Sequence, residues 1–260
     1  MTERDLKRLK IRHSGGDCAV QIAMRQSMPA LEAPGPSLFW LSGFNSSMDG
    51  TKASAIARWA ETAGHAFTRF DYSGHGLSGG RLADGTIGKW LHEAETVFSR
   101  TRGPQVLIGS SMGGWIAALL AQRPAAQGRV AGLVLIAPAI DMSEKLMWQS
   151  FSDEMRQQIL RHGVYLRASA YGDGPYPITR ALIEEGRKHL FGNAPIALSM
   201  PVRIVHGMDD PDVPWSMSLD LVQQLEGEDV QLTLVKDGDH RLSRPQDLRL
   251  LTEMLAGLYC

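Results

Sequence analysis

Cysteine is scarce in this chain, charge is balanced, and long apolar runs are missing. The two cysteines, Cys18 and Cys260, stand near opposite ends of 260 residues with no C-x-x-C pair. That excludes a disulfide framework and a thiolate metal clip, and it leaves two free thiols in a reducing compartment. Lys and Arg number 27 against 28 Asp and Glu, a net charge of −1 with both signs scattered along the chain. Neither a nucleic-acid partner nor an anionic membrane surface is expected from such a balance. No run approaches the ~18 apolar residues that cross a bilayer. The start, MTERDLKRLKIRHSGG, lacks the apolar core of a signal peptide, so a cytoplasmic location is expected. Internal repeats, low-complexity tracts and linkers are also absent.

What is present is enough apolar mass for a sizeable core, 43% of residues, in short runs that alternate with helical patterns. Strands are expected at 17–25, 37–42, 65–71, 104–109, 130–137, 201–206 and 229–235. Helices are expected at 52–63, 86–100, 112–123, 215–226 and 245–258. Short Val- and Ile-rich runs separated by helices indicate βαβ units and an α/β fold with a mostly parallel central sheet and helices on both faces. Ligands then bind at the carboxyl ends of the strands. One stretch interrupts the alternation. Residues 143–198 carry amphipathic helical pieces at 144–161, 162–170 and 178–190, around the turn-rich Tyr171-Gly172-Asp173-Gly174-Pro175-Tyr176-Pro177. The expectation is a core of 1–142 and 199–260 with a helical cap inserted over the strand ends.

Two stretches match G-x-S-x-G. Gly109-Ser110-Ser111-Met112-Gly113 has a strand before it and a helix after it, whereas Gly76-Leu77-Ser78-Gly79-Gly80 lies in a glycine-rich loop with no following helix. A sharp strand–serine–helix turn exposes the hydroxyl and brings the residues two before and two after so close that a Cβ would clash, which explains Gly109 and Gly113. The helix start also points N–H groups at any developing negative charge. Ser111 is therefore the candidate nucleophile and Ser78 a structural turn.

A serine hydroxyl needs a base to take its proton, and the base needs an orienting acid. Of eight histidines, His240 alone follows the last strand, in Lys236-Asp237-Gly238-Asp239-His240-Arg241, which suits the chain order Ser…Asp…His. The acid should follow the strand before it, where Asp209, Asp210 and Asp212 stand together; spacing alone does not choose among them. A metal hydrolase built from these carboxylates with His206, Asp239 and His240 is a rival that leaves the serine turn unexplained.

These residues resemble the α/β-hydrolase superfamily over essentially the whole chain. The likeness implies an α/β-hydrolase fold and places the acid at Asp210, with Asp212 second and Asp209 third, by aligning His206-Gly207 and Val213-Pro214 with the family's H-G-x-x-D-x-x-V-P loop. It implies an oxyanion hole from the backbone N–H groups of Phe44 and Met112, although Ser42 stands where the family usually has histidine. GSSMGGW, HGMDDPDVPW, GDHRLS and Met48-Asp49-Gly50-Thr51-Lys52-Ala53 are more narrowly similar to the branch of mitochondrial palmitoyl-protein thioesterases and acyl-glucuronide esterases. The implied reaction is hydrolysis of a small-molecule carboxylic ester or acyl thioester through a Ser–His–Asp triad, with no metal and no cofactor. Trp115, Trp148, Phe151, Met208 and Trp215 are the candidate substrate contacts, for an apolar acyl group. A cofactor-free lyase or perhydrolase, or a non-catalytic binding homologue, would share the fold. Nothing in the sequence sets the oligomeric state, and a monomer suffices.

Overall fold

Strand β1 (Leu6–Ile11) and strand β2 (Val20–Ser27) open the chain and pair antiparallel in the structure, a computed structural model that describes residues 6–13, 19–29, 35–169 and 174–259. Then follow β3 (Ser37–Leu41), α1 (Thr51–Ala63), β4 (Phe67–Phe70), α2 (Ile87–Phe98), β5 (Gln105–Ser110), α3 (Met112–Ala121) and β6 (Val130–Ile136). A side unit of α4 (Asp153–His162), β7 (Val164–Arg167), β8 (Tyr176–Thr179) and α5 (Arg180–Gly186) intervenes. The chain closes with β9 (Val202–Gly207), α6 (Ser216–Gln224), β10 (Val230–Val235) and α7 (Pro245–Ala256). Cys18, Cys260 and Tyr171 lie outside the described residues.

Eight strands form one sheet in the order β1-β2-β4-β3-β5-β6-β9-β10. β2 meets β4 antiparallel, and every pairing from β4 to β10 is parallel. Every residue of β3 except Ser37, and every residue of β5, is buried, as strands covered on both faces require. Ala53, Ile56, Ala57 and Ala60 of α1 join Leu251 and Leu255 of α7 on one face. Trp90, Leu91 and Ala94 of α2 join Trp115 and Ile116 of α3 and Leu221 of α6 on the other. The expected mostly parallel sheet with helices on both faces is the observed one.

Two parts differ from expectation. β1, with the sequence LKRLKI, was not expected to be a strand because its alternation is masked by charge; at the sheet edge, lysine and arginine are what keep an unpaired ladder soluble. The 143–198 segment is not purely helical. It begins with a π-helical turn (Ser143–Trp148), and Gly163, at φ 78°, ends α4. The expected 162–170 helix is instead β7, paired antiparallel with β8 from Val164 opposite Thr179 to Arg167 opposite Tyr176. Four-residue strands are too short to show a period, and Pro177 tolerates an edge position because it has no N–H to donate.

This segment is tied to the core at both ends. Asp141, buried and at φ 58°, accepts from the Phe191 N–H through Oδ1 at 2.9 Å and the Gly192 N–H through Oδ2 at 3.0 Å, with Lys145 Nζ 3.2 Å away. Glu185 accepts from the Gly88 N–H in the first turn of α2 at 2.9 Å, where a carboxylate also complements the helix dipole. Asp141→Ala strands two half-buried donors, each at up to about 1–3 kcal/mol, so thermal denaturation should show a clear fall in Tm, with Asp141→Asn intermediate. An unchanged Tm in Asp141→Ala would show that this segment is held elsewhere.

Candidate active site

Strand β5 ends at Ser110 and helix α3 starts at Met112, so Ser111 alone makes the turn, at φ 53° and ψ −119°. That is a sparsely populated conformation for a residue with a Cβ, costing about 1–3 kcal/mol, and it persists only where the surroundings enforce it. Here they do. A Cβ on Gly109 would run into the Gly113 carbonyl, and one on Gly113 into the Leu41 carbonyl. The Ser111 N–H donates to the Ile136 carbonyl at 2.9 Å, and the Ser111 carbonyl accepts from Ala139 at 3.1 Å. The hydroxyl is thereby aimed past the carboxyl edge of the sheet.

The loop between β10 and α7 brings His240 opposite. His240 Nε2 lies 3.1 Å from Ser111 Oγ, and Nδ1 lies 2.7 Å from Asp210 Oδ2. The carboxylate partner fixes the ring proton on Nδ1 and leaves Nε2 to accept from the serine hydroxyl. Asp210 Oδ1 accepts from the N–H groups of Asp212 and Val213, each at 2.8 Å. Burial pushes the Asp210 carboxyl up, but hydrogen bonds from His206 and His240 outweigh it and hold the group well below its ordinary range. Asp209 is exposed and Asp212 lies beyond Asp210, so of the three carboxylates Asp210 is the one bonded to His240.

A residue that the sequence left outside the triad also belongs here. His206, fully buried in β9, donates from Nε2 to Asp210 Oδ2 at 3.2 Å and to the Val213 carbonyl at 3.0 Å. Its Nδ1 accepts from the Ser218 hydroxyl at 2.7 Å. The spacing His206…Asp210 was its sequence signal. Asp210, Asp212 and His240 have donor atoms within 4.8 Å of one another, the geometry of a possible cation site. Both Asp210 oxygens already accept two N–H groups each, and His240 Nε2 faces Ser111, so the cluster is satisfied as a hydrogen-bond network.

Phe44 sits just past β3, next to Gly43, whose Cβ position would be 3.4 Å from Ser111 Cβ. Met112 is the first residue of α3, where a backbone N–H has no helical acceptor. Ser42 accepts from the Trp40 indole N–H at 2.9 Å, so serine serves a local bond where the family usually has histidine. Ser78 is spoken for: its hydroxyl donates to the Asp71 carbonyl at 2.6 Å and accepts from the Ala23 N–H at 2.8 Å.

Two cavities meet at Ser111, sharing Phe44, Asn45 and His240. One, of about 240 Å³ on the core side, is lined by Ser46, Ser47, Thr51, Lys52, Arg241 and Ser243 among others. The other, of about 160 Å³ under the cap, is lined by Met142, Leu146, Met147, Tyr176 and Val213, with Arg167 and Asp212. None of the five expected substrate contacts lines either one. Trp115 is wholly buried in the core because α3 is apolar on nearly every face. Trp148 packs beneath the Arg187 and Arg156 guanidiniums, 5.1 and 5.8 Å from its ring. Phe151 meets Tyr165 edge-on inside the cap, Met208 is exposed, and Trp215 caps α6. Neighbouring Met147 and Leu146 line the cavity instead, because a step of one residue along a helix changes the face that a side chain occupies.

A parallel sheet with a serine on a strand-to-helix turn, and an acid and an imidazole after two later strands, defines the α/β hydrolases as a class. Residues 33–173, more than half of the chain, match the family described as "Serine aminopeptidase, S33" (Hydrolase_4), and the chain belongs to this α/β-hydrolase family and is a hydrolase. It is 37% identical over 223 residues to the rat mitochondrial palmitoyl-protein thioesterase ABHD10, covering 85% of this chain and 74% of the relative. Among solved structures, a putative hydrolase from Agrobacterium vitis S4 superposes with a TM-score of 0.91 at 41% identity, covering 98% of this chain and 99% of that one. Mouse alpha/beta hydrolase domain-containing protein 10 superposes at 0.84 with 34% identity, covering 97% of each chain. The expected cytoplasmic location is corrected by the rat, Bos taurus and human ABHD10 relatives, which are named as mitochondrial. An address is a receptor-read segment that leaves no imprint on a fold, so the charged first residues did not carry that inference. No helix of the described residues is long and apolar enough to cross a membrane.

The depressed Asp210 carboxyl contributes stability that is complete above its unfolded value of 3.8 and is lost as pH falls toward its folded value. Denaturant unfolding of the wild type should therefore lose stability more steeply below about pH 4 than Asp210→Asn does. Parallel acid limbs in the two proteins would contradict that linkage.

Proposed function

We propose that this hydrolase cleaves a carboxylic ester or acyl thioester through an acyl-enzyme on Ser111. The observation that carries the reading is the unbroken line from Asp210 Oδ2 through His240, 2.7 Å on one side, to Ser111 Oγ, 3.1 Å on the other. Ser111 Oγ attacks the carbonyl carbon as its proton passes to His240 Nε2. Asp210 holds the imidazole in the required tautomer and stabilises its cationic form. The carbonyl oxygen becomes an oxyanion facing the Phe44 and Met112 amides, where each such donor contributes about 2.7–4 kcal/mol in other enzymes. His240 then protonates the departing alcohol or thiol, and water, deprotonated by the same imidazole, releases the acid. No step calls for a metal or cofactor.

The two cavities divide the substrate. Met142, Leu146, Met147 and Val213 suit an apolar acyl chain on the cap side, and the hydroxyl-rich core side suits a polar leaving group. Relatives named palmitoyl-protein thioesterases support an acyl thioester as the substrate class. A fluorophosphonate probe should label Ser111 and give no labelling in Ser111→Ala, while labelling of Ser78 would refute the assignment. Asp210→Asn should lower kcat by roughly 10⁴.

Chain length tests the acyl side separately. Each methylene buried adds about 0.8 kcal/mol, so kcat/KM should rise up to roughly fourfold per carbon until the cap cavity is full. Met147→Ala should flatten that slope and spare acetyl esters. Equal rates for acetyl and octanoyl esters would place the acyl chain elsewhere.

A further inference from the structure

The stretch Gly50-Thr51-Lys52-Ala53 lies beside the core-side cavity, yet the chemistry above gives it no task. Helix α1 begins there, and its second residue extends back toward the base. Lys52 Nζ donates to the main-chain carbonyl of Arg241, the residue that follows His240. Several other restraints on the His240 loop come from within it, where the Ser243 hydroxyl also donates to the Arg241 carbonyl at 2.9 Å, or from the end of β9. The Leu242 N–H donates to Asp239 Oδ1 at 2.9 Å, and the Asp209 N–H to the Gly238 carbonyl at 2.9 Å. Gly207 has no side chain where the Gly238 carbonyl packs. The lysine contact comes from another element, the first turn of α1, which follows the connection that carries Phe44.

We propose that Lys52 is a positioning residue whose ammonium pins the Arg241 carbonyl and so keeps His240 Nε2 in line with Ser111 Oγ. The proposal rests on the triad reading given above. It makes turnover depend on the charge of a side chain that touches none of the reacting atoms. A charged donor holds a carbonyl more firmly than a neutral amine, and displacing a catalytic group by an ångström costs about a hundredfold in rate.

The surroundings set the pH at which the pin loosens. Burial is the largest influence on Lys52 and lowers its pKa, as does the Arg241 guanidinium on the same loop. Asp239 on that loop, Asp210 after β9 and Asp247 on α7 act in the opposite sense, and the ammonium is pushed down to about 8. The pin is therefore intact well below pH 8, half released near that value and lost as pH rises through it. Turnover should fall on the alkaline side with a midpoint near 8.

The test measures kcat and KM for p-nitrophenyl butyrate from pH 6 to 10, beside the rate of fluorophosphonate labelling of Ser111. Wild type, Lys52→Met and Lys52→Arg are compared, with the Tm of each. Lys52→Met should lose about tenfold to a hundredfold in kcat at pH 7 with little change in KM, and its alkaline limb should vanish. Lys52→Arg, whose guanidinium stays charged, should recover most of kcat and shift the limb beyond pH 10. A wild-type limb that persists at the same midpoint in either variant overturns the proposal. Should Lys52→Met fail to fold, wild type and Lys52→Arg carry the comparison alone, with coincident limbs again the overturning result. Absence of Ser111 labelling in the wild type would instead refute the hydrolase reading beneath it.

Discussion

The left-handed backbone at Ser111 is the constraint on which the site depends, because it decides at once where the hydroxyl points and which residues can surround it. A turn of one residue between β5 and α3 needs Gly109 and Gly113 to come together with no side chain between them, and it needs Leu41 of the neighbouring strand to pack against the second glycine. The same close packing draws Gly43 and Phe44 against the serine. The strain is not isolated. Among the described residues, the non-glycine positions with positive φ are Asn45, Ser111, Ala137, Asp141 and Leu242. Each lies beyond the carboxyl end of β3, β5, β6 or β10. At about 1–3 kcal/mol apiece, this edge of the sheet is held in place by the stability of the buried strands and of α3 beneath it.

Electrostatics then couple the remaining parts. A buried carboxylate is costly unless it is fully hydrogen-bonded, and Asp210 accepts four N–H groups, two from its own loop and two from histidines. His206 braces the acid from β9 and is itself braced by Ser218 of α6. The acid is thus oriented before His240 reaches it, and His240 needs only one geometry to meet both partners. The segment between β6 and β9 takes no part in this network. It supplies apolar walls to one of the two cavities and is clipped to the core through Asp141 and Glu185.

Local residue chemistry made the site legible where a role depends on chain order. A serine between a buried strand and a helix, a histidine after the last strand and an aspartate after the strand before it each follow from the βαβ pattern, and the structure brings those three side chains within hydrogen-bonding distance. Roles that depend on side-chain direction were not legible. Trp115, Trp148 and Phe151 have the right composition for a pocket, but helix phase turns them into the core or against other cap residues while Leu146 and Met147 face the cavity. His206 was harder to read for a related reason: its spacing to Asp210 was the one sequence signal, and spacing alone does not show whether a ring ending a buried strand is a brace or a filler.

By itself the sequence determined the layered architecture, the strand and helix order from β2 to α7 outside the cap, and the identity of the serine turn. Those depend on period, on short-range sterics at glycine and on chain order, all of which a linear string contains. The tertiary structure decided that β1 lines the edge, that Val164–Arg167 and Tyr176–Thr179 pair as strands, that Asp210 rather than Asp209 or Asp212 meets His240, and that Lys52 reaches the Arg241 carbonyl across 189 positions. Such contacts depend on the distance between elements remote in sequence, and that distance exists only once the sheet has closed.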